Sequence, residues 1–155
     1  MEDVRVLEIK QSVFANNDAH ADELRDRLRA QGTFLLNLMS SPGSGKTTTL
    51  TRTIEALRDD MSLAVMEADI DSDVDAKTIA QTGVRAIQLH TGGMCHLDAY
   101  MTEQGLDALL DENSDHVDLA ILENVGNLVC PADFVTGACA IAMILSVPEG
   151  DDKPQ

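Results

Sequence analysis

An apolar run, Phe34-Leu35-Leu36-Asn37-Leu38-Met39, passes directly into Ser40-Ser41-Pro42-Gly43-Ser44-Gly45-Lys46-Thr47-Thr48 and then into a segment compatible with a helix from Thr47 to about Asp59. Few folds accommodate that sequence of events. Glycines let consecutive backbone N–H groups turn inward on an anion, and the start of the helix adds its partial positive charge. Lys46 adds a full charge for the β- and γ-phosphates, and the Thr47 hydroxyl is placed for Mg²⁺. Strand, glycine-rich turn and helix in this order predict a phosphate cradle built from Pro42, Gly43, Ser44, Gly45, Lys46, Thr47 and Thr48. One position departs from the pattern: Ser40 stands where a first glycine is usual. The alternative is a Gly/Ser/Thr-rich turn that holds nothing.

The rest of the chain alternates in the way such a cradle requires. Strands are predicted at 34–39, 63–67, 84–89, 117–122 and 140–147, with helices at 47–59, 74–82 and 96–110 between them. Short apolar strands separated by helical patterns predict a three-layer α/β/α domain with a mostly parallel sheet. Before it, residues 1–33 read as an N-terminal helical extension: the run from Asp18 places acids early and arginines late and ends at Gly32. Two units follow, the extension at 1–33 and the phosphate-binding domain at 34–155.

Charge narrows the partners. The 155 residues carry 11 Lys and Arg against 27 Asp and Glu, a formal net charge of -16. Such a surface repels nucleic-acid phosphates and anionic lipid, so neither nucleic acid nor membrane is an expected partner. With no apolar stretch near 18 residues and charges at Glu2, Asp3 and Arg5, a cytoplasmic protein is expected. Its acidic, lysine-poor composition suits a high-salt cytoplasm, though many ordinary proteins are acidic too. Three cysteines, an odd number, argue against a disulfide framework.

Other residues with chemistry cluster at predicted strand ends. Asp69 closes the second strand, where a carboxylate of an open α/β sheet faces the ligand crevice, and is a candidate for Mg²⁺. Asp71, Asp73 and Asp75 read as helix caps or solvated surface. Glu123-Asn124-Val125-Gly126 closes the fourth strand. There Glu123 supports Mg²⁺ while the Gly126 N–H meets a γ-phosphate and moves on hydrolysis. Cys95 and His96, with Cys130 beyond the next strand, offer thiolate and imidazole suited to Ni²⁺ or Zn²⁺. One chain underfills such a site, and a two-fold dimer would complete it. The same three residues also read as unremarkable, since free cysteine is often simply buried. Cys139 is predicted in the core, and His20, His90 and His116 on surfaces or strand ends.

Together, Ser40–Thr48, Glu67-Ala-Asp-Ile, Thr91-Gly-Gly-Met-Cys-His-Leu-Asp-Ala, Glu123-Asn-Val-Gly-Asn-Leu-Val-Cys-Pro-Ala and Ser146-Val-Pro-Glu-Gly resemble HypB, the GTPase family that helps insert nickel into [NiFe] hydrogenases. The resemblance runs from about residue 12 to the last. It implies a P-loop NTPase-like fold, GTP and Mg²⁺ held by Gly43, Gly45, Lys46 and Thr47 with Asp69 and Glu123, and a nickel or zinc site of Cys95, His96 and Cys130 at the interface of a nucleotide-bound homodimer. It implies a nickel-binding accessory protein and the hydrogenase large subunit as partners, and Lys153 reaching across the dimer. Ala68 stands where the family usually has glycine, and a His-rich N-terminal tract is lacking. The family's last strands and their Asn-Lys-x-Asp base-recognition string do not follow the fifth predicted strand, so a shortened relative or part of a longer chain is expected. Two rival readings remain: a catalytically impaired relative that binds metal or a partner without base-selective GTP hydrolysis, and a small-molecule kinase, against which no acceptor lid is visible.

Overall fold

The computed structural model describes residues 4–9, 16–41, 43–69, 74–111, 113–129, 131 and 134–145. Pro42, Asp71, Asp73, Cys130 and Lys153 lie outside the described residues. Six strands form one sheet in the order β1-β4-β3-β5-β2-β6, and each neighbouring pair is parallel. The strands are β1 (Arg5–Glu8), β2 (Phe34–Ser40), β3 (Leu63–Asp69), β4 (Arg85–His90), β5 (Leu119–Glu123) and β6 (Ala140–Ile144). Four helices connect them: α1 (Asn17–Gln31), α2 (Lys46–Leu57), α3 (Val74–Ala80) and α4 (Ala99–Leu109). The expected P-loop NTPase-like α/β layering is present.

Side chains alternate across a strand, so the central strands β3 and β5 feed two cores. Leu63 and Val65 of β3 and Ile121 of β5 join Leu50 and Ile54 of α2 and Ile79 of α3 on one face. Ala64 and Met66 of β3 and Ala120 and Leu122 of β5 join Leu24 and Leu28 of α1 and Met101, Leu106 and Leu109 of α4 on the other. At Gly105 the helix–sheet approach is very close: a Cβ there would sit 2.8 Å from Met66 Sδ and 2.9 Å from Leu89 Cδ1.

Four expectations need correction. The N-terminal segment is not purely helical: β1 pairs with β4, with Arg5 opposite Ile87, and the following Ile9 is buried. As an edge strand it tolerates the charges at Arg5 and Glu8 that hid it. Second, α4 begins at Ala99 rather than 96, because the Asp98 carboxylate accepts from Met101 N–H at 2.8 Å and caps the helix there. His96 and Leu97 therefore lie in the preceding loop. Third, Cys139 is exposed, in the same alternating row as the exposed Ile141, Met143 and Leu145 along the outer strand β6. Asp75 is the fourth, and it belongs to the site.

Candidate functional site

Gly43 and Gly45 adopt φ of 75° and 85°, in the left-handed region that favours glycine, and a Cβ at either would meet nothing within 4 Å. The requirement there is conformational, as expected of a loop that turns its N–H groups outward onto an anion. Helix α2 then starts at Lys46, whose ammonium stands 3.2 Å from Glu123 Oε1. Thr47 donates its hydroxyl to Asp75 Oδ1 at 3.3 Å. Thr48 is exposed on the same first turn, and Ser44 and Gly126 are partly buried.

Two strand rows explain how the carboxylates arrive. On β3 the row facing α2 and α3 runs Leu63, Val65, Glu67; on β5 it runs Leu119, Ile121, Glu123. Glu67 and Glu123 are register partners, 2 % and 0 % exposed. Helix α3 lies on this face beside α2, and its first turn brings Asp75 to them. Oxygen atoms of Glu67, Asp75 and Glu123 lie within 4.8 Å of one another. Both Glu123 oxygens and Glu67 Oε1 are buried without a well-aligned hydrogen bond among the described residues.

Burial pushes the Glu67 carboxyl up to about 11, with the neighbouring Glu123 and Asp75 adding to the shift. Burial works against the Lys46 ammonium, but Glu123, Asp75 and Glu67 together outweigh it and the net shift is upward. At neutral pH Glu67 is thus neutral, one strand away from the close contact of Lys46 with Glu123. An oxygen-only donor set with one buried counter-charge matches what Mg²⁺ accompanying a polyphosphate takes.

Sequence reasoning placed Lys46, Thr47 and Glu123 where they converge, but read Asp75 as a cap or surface acid and singled out Asp69 rather than Glu67. Asp69 is partly buried at the end of β3, its carbonyl accepting from Thr91 N–H at 3.1 Å, and it is not one of the three converging carboxylates. A signal for Glu67 was available: a carboxylate continuing the apolar row Leu63, Val65.

The soft donors occupy the opposite face of the same sheet edge. Cys95 is partly buried, and His96 is 6 % exposed with Nε2 buried and lacking a partner among the described residues. The Phe134 ring stacks on the imidazole, centroids 3.6 Å apart and planes 10° from parallel. Asn127 donates its side-chain amide to the Cys95 carbonyl at 3.0 Å. A buried imidazole nitrogen without a partner among the described residues, on the residue that follows a cysteine, suits a soft metal ion.

A family model described as CobW/HypB/UreG, nucleotide-binding domain, matches residues 34–147. The chain belongs to the CobW/HypB/UreG family. Within it, the chain is similar to the hydrogenase maturation factor HypB of Azotobacter vinelandii, 51% identical over 150 residues that make up 97% of this chain and 48% of that one. HypB of Rhizobium leguminosarum bv. viciae is 46% identical over 154 residues, 99% of this chain and 50% of its own. The chain thus spans about half the length of these HypB relatives. Among solved structures, HypB from Helicobacter pylori in complex with nickel superposes with a TM-score of 0.81 at 45% identity, over 89% of this chain and 64% of that one. HypB from Archaeoglobus fulgidus superposes with a TM-score of 0.77 at 39% identity, over 90% and 66%. The expected HypB resemblance and fold are therefore shown. No helix among the described residues is long and apolar enough to cross a membrane.

Proposed function

We propose that this chain is the nucleotide- and nickel-binding part of a HypB-type maturation factor, a GTPase switch that holds Ni²⁺ and passes it on during hydrogenase maturation. The observation that carries the reading is the convergence of Lys46, Thr47, Asp75, Glu67 and Glu123 behind a phosphate loop, with a thiol and a partnerless imidazole on the same sheet edge.

The phosphate loop and Lys46 bind and orient the β- and γ-phosphates of GTP. Thr47, Asp75 and Glu123 would hold Mg²⁺, with Asp69 as a further candidate; when bound, the ion would supply charge neutralisation at the phosphates. When phosphate enters, Lys46 exchanges its Glu123 partner for the new anion. Glu123 is thereby freed, and the following Gly126 loop senses the γ-phosphate. Positioning and charge neutralisation supply most of phosphoryl-transfer catalysis, so a chain with these groups alone hydrolyses GTP slowly. Cys95, His96 and Cys130 bind Ni²⁺, or Zn²⁺ in its place, as thiolate and neutral imidazole, so loading weakens at low pH. One chain underfills the coordination sphere, and a nucleotide-dependent homodimer completes it. Exposed Tyr100, Val129 and Val135 near these donors support such a contact. A nickel-binding accessory protein and the hydrogenase large subunit are the partners that fit on either side of the transfer.

The test separates the two sites. Cys95→Ala removes Ni²⁺ uptake by equilibrium dialysis and leaves fluorescent GDP binding intact; Lys46→Ala does the reverse. Metal stoichiometry unchanged by Cys95→Ala would place the nickel elsewhere. GTP affinity no better than ATP affinity would mean that these 155 residues hold phosphate without selecting the base.

A further inference from the structure

The two sites lie on opposite faces of the sheet, and one side chain spans the gap between their loops. β5 ends at Glu123, the ion-pair partner of Lys46, and its backbone is anchored at once: Asn124 N–H donates to the Leu38 carbonyl at 3.0 Å, and the buried Asn124 amide donates to Asn37 Oδ1 at 3.1 Å. Three residues later the chain reaches Asn127. Its Nδ2 donates to the Cys95 carbonyl at 3.0 Å, and its Oδ1 accepts from Val129 N–H at 3.1 Å. These partners fix the amide's orientation, since a carbonyl can only accept and an N–H only donate. A single planar amide thus ties the backbone of Cys95 to that of Val129, the residue before Cys130.

We propose that Asn127 is the positioning residue that couples the phosphate site to the soft-donor site, by setting the spacing of the Cys95 and Val129 backbones from the loop that begins at Glu123. The inference rests on the reading that Cys95 binds Ni²⁺ and that Lys46 and Glu123 respond to nucleotide. Asn127 acts through the backbones of Cys95 and Val129. When phosphate draws Lys46 away from Glu123, the Val125–Asn127 turn shifts relative to its anchor at Asn124, and the amide carries that shift to Cys95. An effector can alter affinity only through groups that differ between the two states, and the effect is reciprocal. Ni²⁺ must therefore tighten nucleotide binding by the same factor by which nucleotide tightens Ni²⁺.

The test uses the chain with Ni²⁺ alone as metal probe and Mg²⁺ with a non-hydrolysable GTP analogue as nucleotide. Ni²⁺ affinity is measured by chelator competition with and without the nucleotide. The wild-type ratio is expected to be at least about fivefold, the lower end of measured coupling between sites. Asn127→Ala loses the hydrogen bonds to Cys95 and Val129; Asn127→Asp keeps the acceptor for Val129 N–H and loses the donor to Cys95. Both are expected to bring the ratio close to one while fluorescent-nucleotide affinity stays within about twofold, which also verifies folding. The Ni²⁺–thiolate charge-transfer band should shift with nucleotide in the wild type and stay fixed in both variants. A wild-type ratio of one, or a ratio kept by Asn127→Asp, overturns the coupling role and leaves the two binding sites standing. Wild-type Ni²⁺ uptake unaffected by Cys95→Ala overturns this inference together with the metal reading beneath it.

Discussion

Glu67 and Glu123 face each other across neighbouring parallel strands, both buried, with the Lys46 ammonium 3.2 Å from Glu123 Oε1. Two carboxylates so placed cannot both ionise cheaply. Burial and the neighbouring Glu123 and Asp75 leave Glu67 holding its proton, with a pKa of about 11.

That proton has a stability signature in the metal-free chain. The folded pKa of Glu67 lies above the unfolded value near 4.3, so the folded form holds a proton that the unfolded form releases. The favourable contribution is complete below about pH 4.3 and declines as pH rises toward 11. Glu67→Gln removes this slope. We expect the variant to be more stable than wild type by at least about 1 kcal/mol at pH 8, with the gap nearly closed at pH 5. Urea titrations of both proteins across that range check it; a gap that widens toward acid would contradict the assignment.

Lys46→Ala should damage two properties at once. Removing the lysine leaves Glu123 buried and unpaired, which costs about 3–5 kcal/mol. Nucleotide affinity should fall about a hundredfold or more, since both the phosphate contact and its full charge are lost. Lys46→Met combined with Glu123→Gln should recover much of the stability and none of the binding. Thermal melts and fluorescent-nucleotide titrations separate the two losses.

Gly105→Ala tests how tightly α4 is pressed on the sheet. Alanine would ordinarily favour a helix interior by about 0.5–1 kcal/mol. Here the added methyl meets Met66 Sδ and Leu89 Cδ1 inside normal contact distance. Overpacking of this kind costs about 1–3 kcal/mol, so a net loss in chemical denaturation is expected.

Asn17→Ala tests the seam between α1 and α4. Asn17 Oδ1 accepts from Ala99 N–H at 2.8 Å, and its Nδ2 donates to the Val135 carbonyl at 2.8 Å. The first of these serves an N–H that α4 cannot satisfy itself. Loss of both should cost about 1–2 kcal/mol. Asn17→Asp should recover about half, because it keeps the acceptor alone. Hydrogen exchange at Ala99 should report the difference.

The phosphate loop, the strand and helix pattern and the Lys46–Thr47–Glu123 constellation could be read from sequence because local rules determine them. Glycines at positive φ, an apolar run and a helix start all lie within fifteen residues. Asp75 and Glu67 were harder for a different reason. Asp75 is one acid in an acidic segment, and nothing local separates a capping aspartate from one that a neighbouring helix presses onto Thr47. Glu67 stands out in sequence as a carboxylate continuing the apolar row Leu63, Val65, but its role needs β5 beside β3, since its partner is Glu123 opposite. Cys139 failed similarly: its apolar flanks suggest burial, but β6 is an outer strand, and sequence periodicity gives the alternation of faces without saying which face is covered.

The family match begins at residue 34, an inviting place to cut an expression clone. Yet β1 borders β4, and Leu24 and Leu28 of α1 are in the same core as Met66 and Leu89. Asn17, His20 and Arg27 reach Ala99, Glu103 and Asp107 along successive turns of α4. A clone starting at 34 would uncover a greasy helix face and loosen the helix that follows Cys95 and His96. The practical boundary of the folding unit lies no later than Arg5, well before the point where the family model's match begins.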